Sequence, residues 1–228
     1  MRALGVDPPH GAPLFLLLAM IYVASLPDAM LPPVLRDLLV SRYSVTPAAA
    51  HWFMAINLVG AMAAVPILAM LRGRASPALL IGVGALCNGA LLLGLALPIG
   101  FGWSVSVRFL EGAADMVVLA VLFNLLSSDG PRAWRGHRLG LGGTALMLGL
   151  ATGAISGGRL GEAGAASVLI AGAVASGVLA VIAFFGIRLL RRCERAPRSE
   201  AIRVATGTLI PLWPSLAMFG SDRALAGL

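Results

Sequence analysis

Long apolar runs alternate with short polar breaks along the whole chain. The runs are Pro13–Leu35, Ala48–Leu71, Pro77–Leu97, Phe101–Leu126, Leu139–Leu160, Ala165–Leu190 and Thr208–Leu228. The breaks are chemically plain: Arg36 to Pro47, Arg72-Gly73-Arg74, Pro98-Ile99-Gly100, Ser127 to Arg138, Gly161 to Gly164, and Arg191 to Gly207. Each run has about the 20 residues that a helix needs to cross the hydrocarbon core of a bilayer. The pattern predicts an all-α polytopic membrane protein. Its expected parts are a six-helix bundle over 1–190, an Arg-rich linker over 191–207, and a seventh helix over 208–228 that begins a further unit.

Composition agrees. Only 12% of the 228 residues are charged and 59% are hydrophobic, whereas a soluble domain carries about 25% charged residues. Too little charge remains to cover a surface in water, so the expected partner is the lipid bilayer. The net charge of +7 comes from arginine alone, since the chain has no lysine. These arginines are scattered through short breaks and form no single basic patch, so a nucleic-acid partner is not expected. Their placement alternates. Twelve lie in one set of breaks (Arg2; Arg72 and Arg74; Arg132, Arg135 and Arg138; Arg188 to Arg203), and three lie in the other (Arg36, Arg42, Arg159). By the positive-inside rule the N-terminus is cytoplasmic, and the expected location is a bacterial inner membrane. Val23-Ala24-Ser25 has the small residues of a signal-peptidase site, but the apolar run continues through Ala29 to Leu35, which suits a transmembrane helix better.

Charge inside the membrane costs about 2.5–3.5 kcal/mol on insertion scales and is kept mainly where it pairs or lines a cavity. The fourth run carries Arg108, Glu111 and Asp115 at spacings of three and four, which place them on one helical face, with Gly112 in the stripe and Asn124 further along. Two readings stand: a polar stripe facing a water-filled pathway, or an internal ion pair that fixes packing. The first run carries Asp28 among Pro27, Pro32 and Pro33, where a broken hydrogen-bond ladder at membrane depth implies a cavity or a protein partner. Asn57 and Asn88 are lone amides that serve as interhelical glue or as pathway groups. Gly149, Gly153, Gly157 and Gly161 recur every four residues, a smooth ridge that implies a closely packed partner helix. His10, His51 and His137 have no metal spacing, Cys87 and Cys193 are isolated, and no nucleophile–base set or phosphate-binding loop occurs. No cofactor, metal or enzymatic activity is expected.

The order of these features resembles the N-terminal half of a major facilitator superfamily transporter, from about Leu14 to Leu190. Arg108-Phe109-Leu110-Glu111-Gly112 is similar to the family's fourth-helix Arg-x-x-x-Gly motif. Gly149-x-x-x-Gly153-Ala154-x-x-Gly157-Gly158 is similar to its fifth-helix antiporter motif, with Arg135-Gly136-His137-Arg138 as the lead-in, and Asp28-Ala29-Met30-Leu31-Pro32 resembles the first helix of drug:proton antiporters. The gating loop reads Arg72-Gly73-Arg74 without the family's preceding Asp, and Ala154 stands where the family has proline. The resemblance implies two inverted three-helix repeats and proton-coupled export of a small solute. Asp28, Arg108, Glu111, Asp115, Asn57 and Asn124 would line the pathway, with Asp28 or Asp115 carrying the proton. It also implies that a second half or second subunit is missing and that the glycine ridge awaits it. The alternative is a half-size protein that does not transport and acts as a scaffold or partner subunit.

Overall fold

In the computed structural model, residues 11–71, 74–128 and 132–186 are described. They form α1 (Gly11–Met30), α2 (Pro47–Leu71), α3 (Pro77–Ala96), α4 (Phe101–Ser128), α5 (Arg135–Gly161) and α6 (Ala165–Phe185). No strand occurs among the described residues. All six helices are long and apolar enough to cross a membrane. Their outward faces carry Phe15, Leu58, Met62, Leu86, Ile155, Val174 and Phe185, all exposed, and a water-soluble surface does not assemble that many large apolar side chains. The chain is an all-helical, polytopic integral membrane protein. The expected linker 191–207 and seventh helix 208–228 lie outside the described residues, as do Arg72 and Gly73 of the gating loop.

The helix limits follow local chemistry. Ser76 caps α3 by accepting the Leu79 N–H at 3.3 Å, with Pro77 at the first helical position. Gly164 turns the chain between α5 and α6 at φ +108°, a conformation few side chains tolerate. Two limits differ from the sequence expectation. The first span was expected as one helix to Leu35. Instead α1 stops at Met30, where Pro32 and Pro33 remove successive N–H donors, and the path continues as a 3₁₀ turn (Pro32–Val34) and a π-helix (Arg36–Ser41). The break expected from Ser127 to Arg138 is shorter, because α4 runs to Ser128 and α5 begins at Arg135.

Three pairings dominate the packing, the parallel pairs α1 with α5 and α2 with α4 and the antiparallel pair α3 with α6; α3 with α4 and α1 with α6 follow. This set returns to itself when α1 exchanges with α4, α2 with α5, and α3 with α6. The α1–α5 pairing becomes α4–α2, α3–α4 becomes α6–α1, and α3–α6 is unchanged. Small residues bring the backbones together. A Cβ on Gly153 would lie 2.7 Å from the Leu26 carbonyl oxygen and 2.9 Å from Ala29 Cβ. One on Gly149 would strike Ser25 and Tyr22, one on Gly157 the Met30 backbone, and one on Gly161 Val34. The whole ridge is therefore filled by α1 and the turn after it. This corrects the expectation that the ridge awaits a helix outside the chain: α1 is broken just after Met30 and lies along α5 throughout. At the equivalent crossing, Gly60 of α2 meets the Phe109 backbone and Gly112 of α4 meets that of Asn57.

Most of the apolar core falls into two layers, beside a smaller cluster of Met30, Val34 and Val168. Leu17, Met20, Ile21, Ile81, Leu122, Leu126 and Leu179 pack in one, and Leu31, Leu39, Phe53, Leu92, Leu95 and Val107 in the other. Along α1 the layers are separated by Asp28, and along α4 by the stretch from Arg108 to Asp115.

Glycine costs a helix interior about 1 kcal/mol relative to alanine, a cost offset here by close backbone contact. Gly153→Leu is expected to lower stability by about 1–3 kcal/mol or more through overpacking against α1. Gly158→Leu, at a position with nothing within 4 Å, is expected to be tolerated. Thermal unfolding of the two purified variants in one detergent checks this, and equal midpoints would contradict the α1–α5 packing.

Candidate functional site

The polar layer is centred on Arg108, which is fully buried in α4. Its Nη2 is ion-paired with Asp28 Oδ1 of α1. Its Nη1 lies 2.8 Å from Glu111 Oε1, three residues along its own helix. That second contact is too bent to count as a hydrogen bond and acts as a charge contact. Phe53 of α2, itself buried, places its ring centroid 5.7 Å from the guanidinium carbon. One turn along α2 from Phe53, Asn57 Nδ2 donates to Asp28 Oδ1 at 3.0 Å. Three groups on three helices thus meet at one guanidinium, with Asn57 holding Asp28 from behind.

Helix geometry explains the meeting. Phe53 and Asn57 are four residues apart and share a face of α2. Gly112, next to Glu111, lets α2 approach until Asn57 oxygens press on α4. On the other side, Gly153 of α5 and Gly172 of α6 lie against the residues flanking Asp28, namely Leu26, Pro27 and Ala29. Asp28 therefore sits in a closely packed stretch of α1, yet 36% of its side chain is exposed, against 0% for Arg108 and 3% for Glu111. It is the one member of the ion-paired set open to the surroundings.

Asp115 lies one turn beyond Glu111, half-buried, and within electrostatic reach of Asp28, Glu111 and Arg108. Neither ion pair includes it. The layer holds three carboxyl groups and one guanidinium, so two further positive charges, as protons or cations, balance it when all ionise. Within the buried set, Arg108 Nε, Glu111 Oε2 and Asn57 Oδ1 have no hydrogen-bond partner. Among the described residues, no three His, Cys, Asp or Glu side chains come close enough to hold a metal ion.

The remaining candidates are placed elsewhere. Asn124 is exposed near the end of α4, with its backbone carbonyl accepting from the Ser127 hydroxyl, and it stands apart from the Arg108 layer. Asn88 is buried in α3 with its Oδ1 unpartnered. Arg74 is exposed, and its backbone N–H bonds to the Leu71 carbonyl at 3.0 Å. Nothing in the sequence singles out Phe53, which looks like any other core aromatic until α2 lies against α4. Arg138 likewise has the look of a loop charge. Arg138 is instead buried within α5 and donates through Nε to the Leu126 carbonyl at 3.1 Å, closing the C-terminal end of α4. Arg42 does the same for α3, donating through Nη1 to the Leu95 carbonyl at 3.1 Å and through Nη2 to Ala96.

Removing one partner of a buried ion pair costs about 3–5 kcal/mol, because the other charge is left uncompensated, whereas replacing both by apolar groups is often close to neutral. Arg108→Leu is expected to sharply reduce folded protein, and Arg108→Leu with Glu111→Leu is expected to recover most of it. Thermal unfolding of the single and double variants measures the coupling, and additive losses would show that the pair does not interact.

No family model, curated protein or solved structure gives a match to this chain.

Proposed function

We propose that the chain forms one half of a proton-coupled secondary transporter of the major facilitator type, exporting a small solute, with Asp28 as the proton carrier. The observation that carries this is the layer in which buried Arg108 is shared between Asp28 and Glu111, while Asp28, of these three ion-paired groups, alone opens outward. Such a layer is costly in a bilayer, and a packing role needs one carboxylate, not three. An ionised Asp28 is held by Arg108 and Asn57. A protonated Asp28 loses the Coulomb attraction of the guanidinium, which keeps Glu111 as its counter-charge. The carboxyl can then separate from Arg108 without stranding a buried cation. That is the property a carrier needs: two states of comparable free energy, exchanged by one proton.

The pairing pattern supports the fold reading. It is unchanged when the first three helices exchange with the last three, as an inverted pair of three-helix repeats requires. In that arrangement α1 and α4 occupy equivalent positions, and they are the helices that bring Asp28 and Arg108 together. The proposed orientation puts the N-terminus and the arginine-rich α4–α5 turn on the cytoplasmic side of a bacterial inner membrane.

A second reading is a scaffold or partner subunit that moves no solute. It is favoured by the outer helices, since only 11% of the apolar stretch of α2 and 17% of that of α5 are buried, against 56% for α1. Both readings accommodate a further helical unit or a second copy against those faces.

The test is reconstitution of the full 228-residue chain in vesicles that enclose a pH-sensitive dye. A panel of amphipathic solutes is added, and proton movement is followed. A single half is not expected to transport, so solute-dependent proton flux is expected only from vesicles in which two copies pair, together with its loss in Asp28→Asn at unchanged protein level. Flux that survives in Asp28→Asn but vanishes in Asp115→Asn would move the carrier role to Asp115. Vesicles in which no solute moves protons favour the scaffold.

A further inference from the structure

Asn57 uses its amide in one direction only. Its donor end bonds Asp28 Oδ1 at 3.0 Å, while its acceptor Oδ1 is buried with no hydrogen-bond partner. An amide that merely joined two helices would gain most by pairing both ends. A buried acceptor left unpaired costs about 1–3 kcal/mol, and this orientation gains most when the group facing the N–H is an anion. Asp28 Oδ1 already accepts from Arg108. Two donors from two helices therefore converge on one oxygen, which leaves Oδ2 as the oxygen available to a proton.

We propose that Asn57 is a positioning residue that holds the Asp28 carboxylate in its ionised, Arg108-bound state and so sets the proton concentration at which the carrier loads. This rests on the reading of Asp28 as the proton carrier. The surroundings of Asp28 leave Asn57 that role. The charged groups within electrostatic reach are Arg108, Glu111 and Asp115, all on α4. From α5 and α6 the flanking residues meet Gly153 and Gly172; α6 contains no titratable side chain, and α5 carries its own only near its two ends, at Arg135, His137, Arg138 and Arg159. From α2 the contact is Asn57, a neutral group whose bond to Asp28 strengthens with ionisation. Arg108 is divided between two carboxylates and remains charged throughout. Asn57 adds the neutral donor that favours ionised Asp28, and it ties α2 to the protonation state of α1. When Asp28 takes a proton on Oδ2, the α1–α2 link loses its ionic character and the α2–α4 pair is released from α1.

The experiment follows the protonated-carboxyl C=O stretch by infrared spectroscopy as the purified full chain in detergent is titrated with acid. Wild type is compared with Asp28→Asn, Asn57→Ala and Asn57→Leu. The band component absent from Asp28→Asn belongs to Asp28. In Asn57→Ala its midpoint is expected to rise by about one pH unit, the tenfold gain in proton affinity that follows from losing one hydrogen bond to a charged group. Alanine keeps the backbone contact with Gly112, so the crossing survives. Asn57→Leu, which restores volume without a donor, is expected to show the same shift and serves should the alanine variant fold poorly. A titrating band identical in wild type and Asp28→Asn would overturn Asp28 as carrier. A band lost in Asp28→Asn but with an unmoved midpoint in both Asn57 variants would overturn the positioning role alone and reduce Asn57 to packing, even if thermal stability fell.

Discussion

One buried guanidinium organises this bundle. Arg108 has no access to solvent, so its charge must be met inside the protein. Glu111 meets part of it from the same helix. The rest is supplied by Asp28 from α1, with Phe53 and Asn57 of α2 completing the surroundings. Each of these contacts requires helices at close range, and the glycines at the α1–α5 and α2–α4 crossings provide that range. Charge and packing are thus one constraint. The polar layer is stable only because backbones approach closely, and the backbones approach closely along helices that pass through the polar layer.

The layer also separates two kinds of work. Above and below it the core is mainly apolar, with leucine and isoleucine from α1, α3, α4 and α6. Those layers gain nothing from a change in protonation. Within the polar layer one carboxylate is open while its guanidinium partner and second carboxylate are closed in. In the proposed mechanism that asymmetry makes Asp28 the movable member and the Arg108–Glu111 contact the fixed one. The broken path after α1 belongs to the same picture. Pro32 and Pro33 end the α-helix one turn past Asp28, and Arg42 then ties the π-helical extension to the carbonyls closing α3. The end of α1 next to Asp28 is therefore anchored at both sides while its own hydrogen-bond ladder changes type.

Much of the architecture was legible because bilayer crossing imposes long apolar runs, and runs of that length between arginine-bearing breaks leave little choice but helices. The stripe of Arg108, Glu111 and Asp115 was legible too, because helical periodicity fixes which residues share a face. The identity of that stripe's partners was not. Sequence spacing within α4 says nothing about which helix faces it; the resemblance grouped Asp28 and Asn57 with the stripe along one pathway but could not say which of them touches Arg108, and Phe53 did not stand out at all.

The sequence by itself determined a helical membrane protein whose described part has six spans, with charged residues at membrane depth, since hydropathy and periodicity act locally along the chain. Only the tertiary structure decided what the glycine ridge and the arginines do. Gly149 to Gly161 could have faced any helix, inside or outside the chain, and the fold gives them to α1. Arg138 read as one more loop charge and proved to be a buried closure of α4. Asn124 read as part of the polar stripe and lies exposed at the far end of its helix. In each case the residue type was plain and its partner was not, because a side chain's role depends on which groups lie within a few ångströms, and distances between helices are set by how all six pack together.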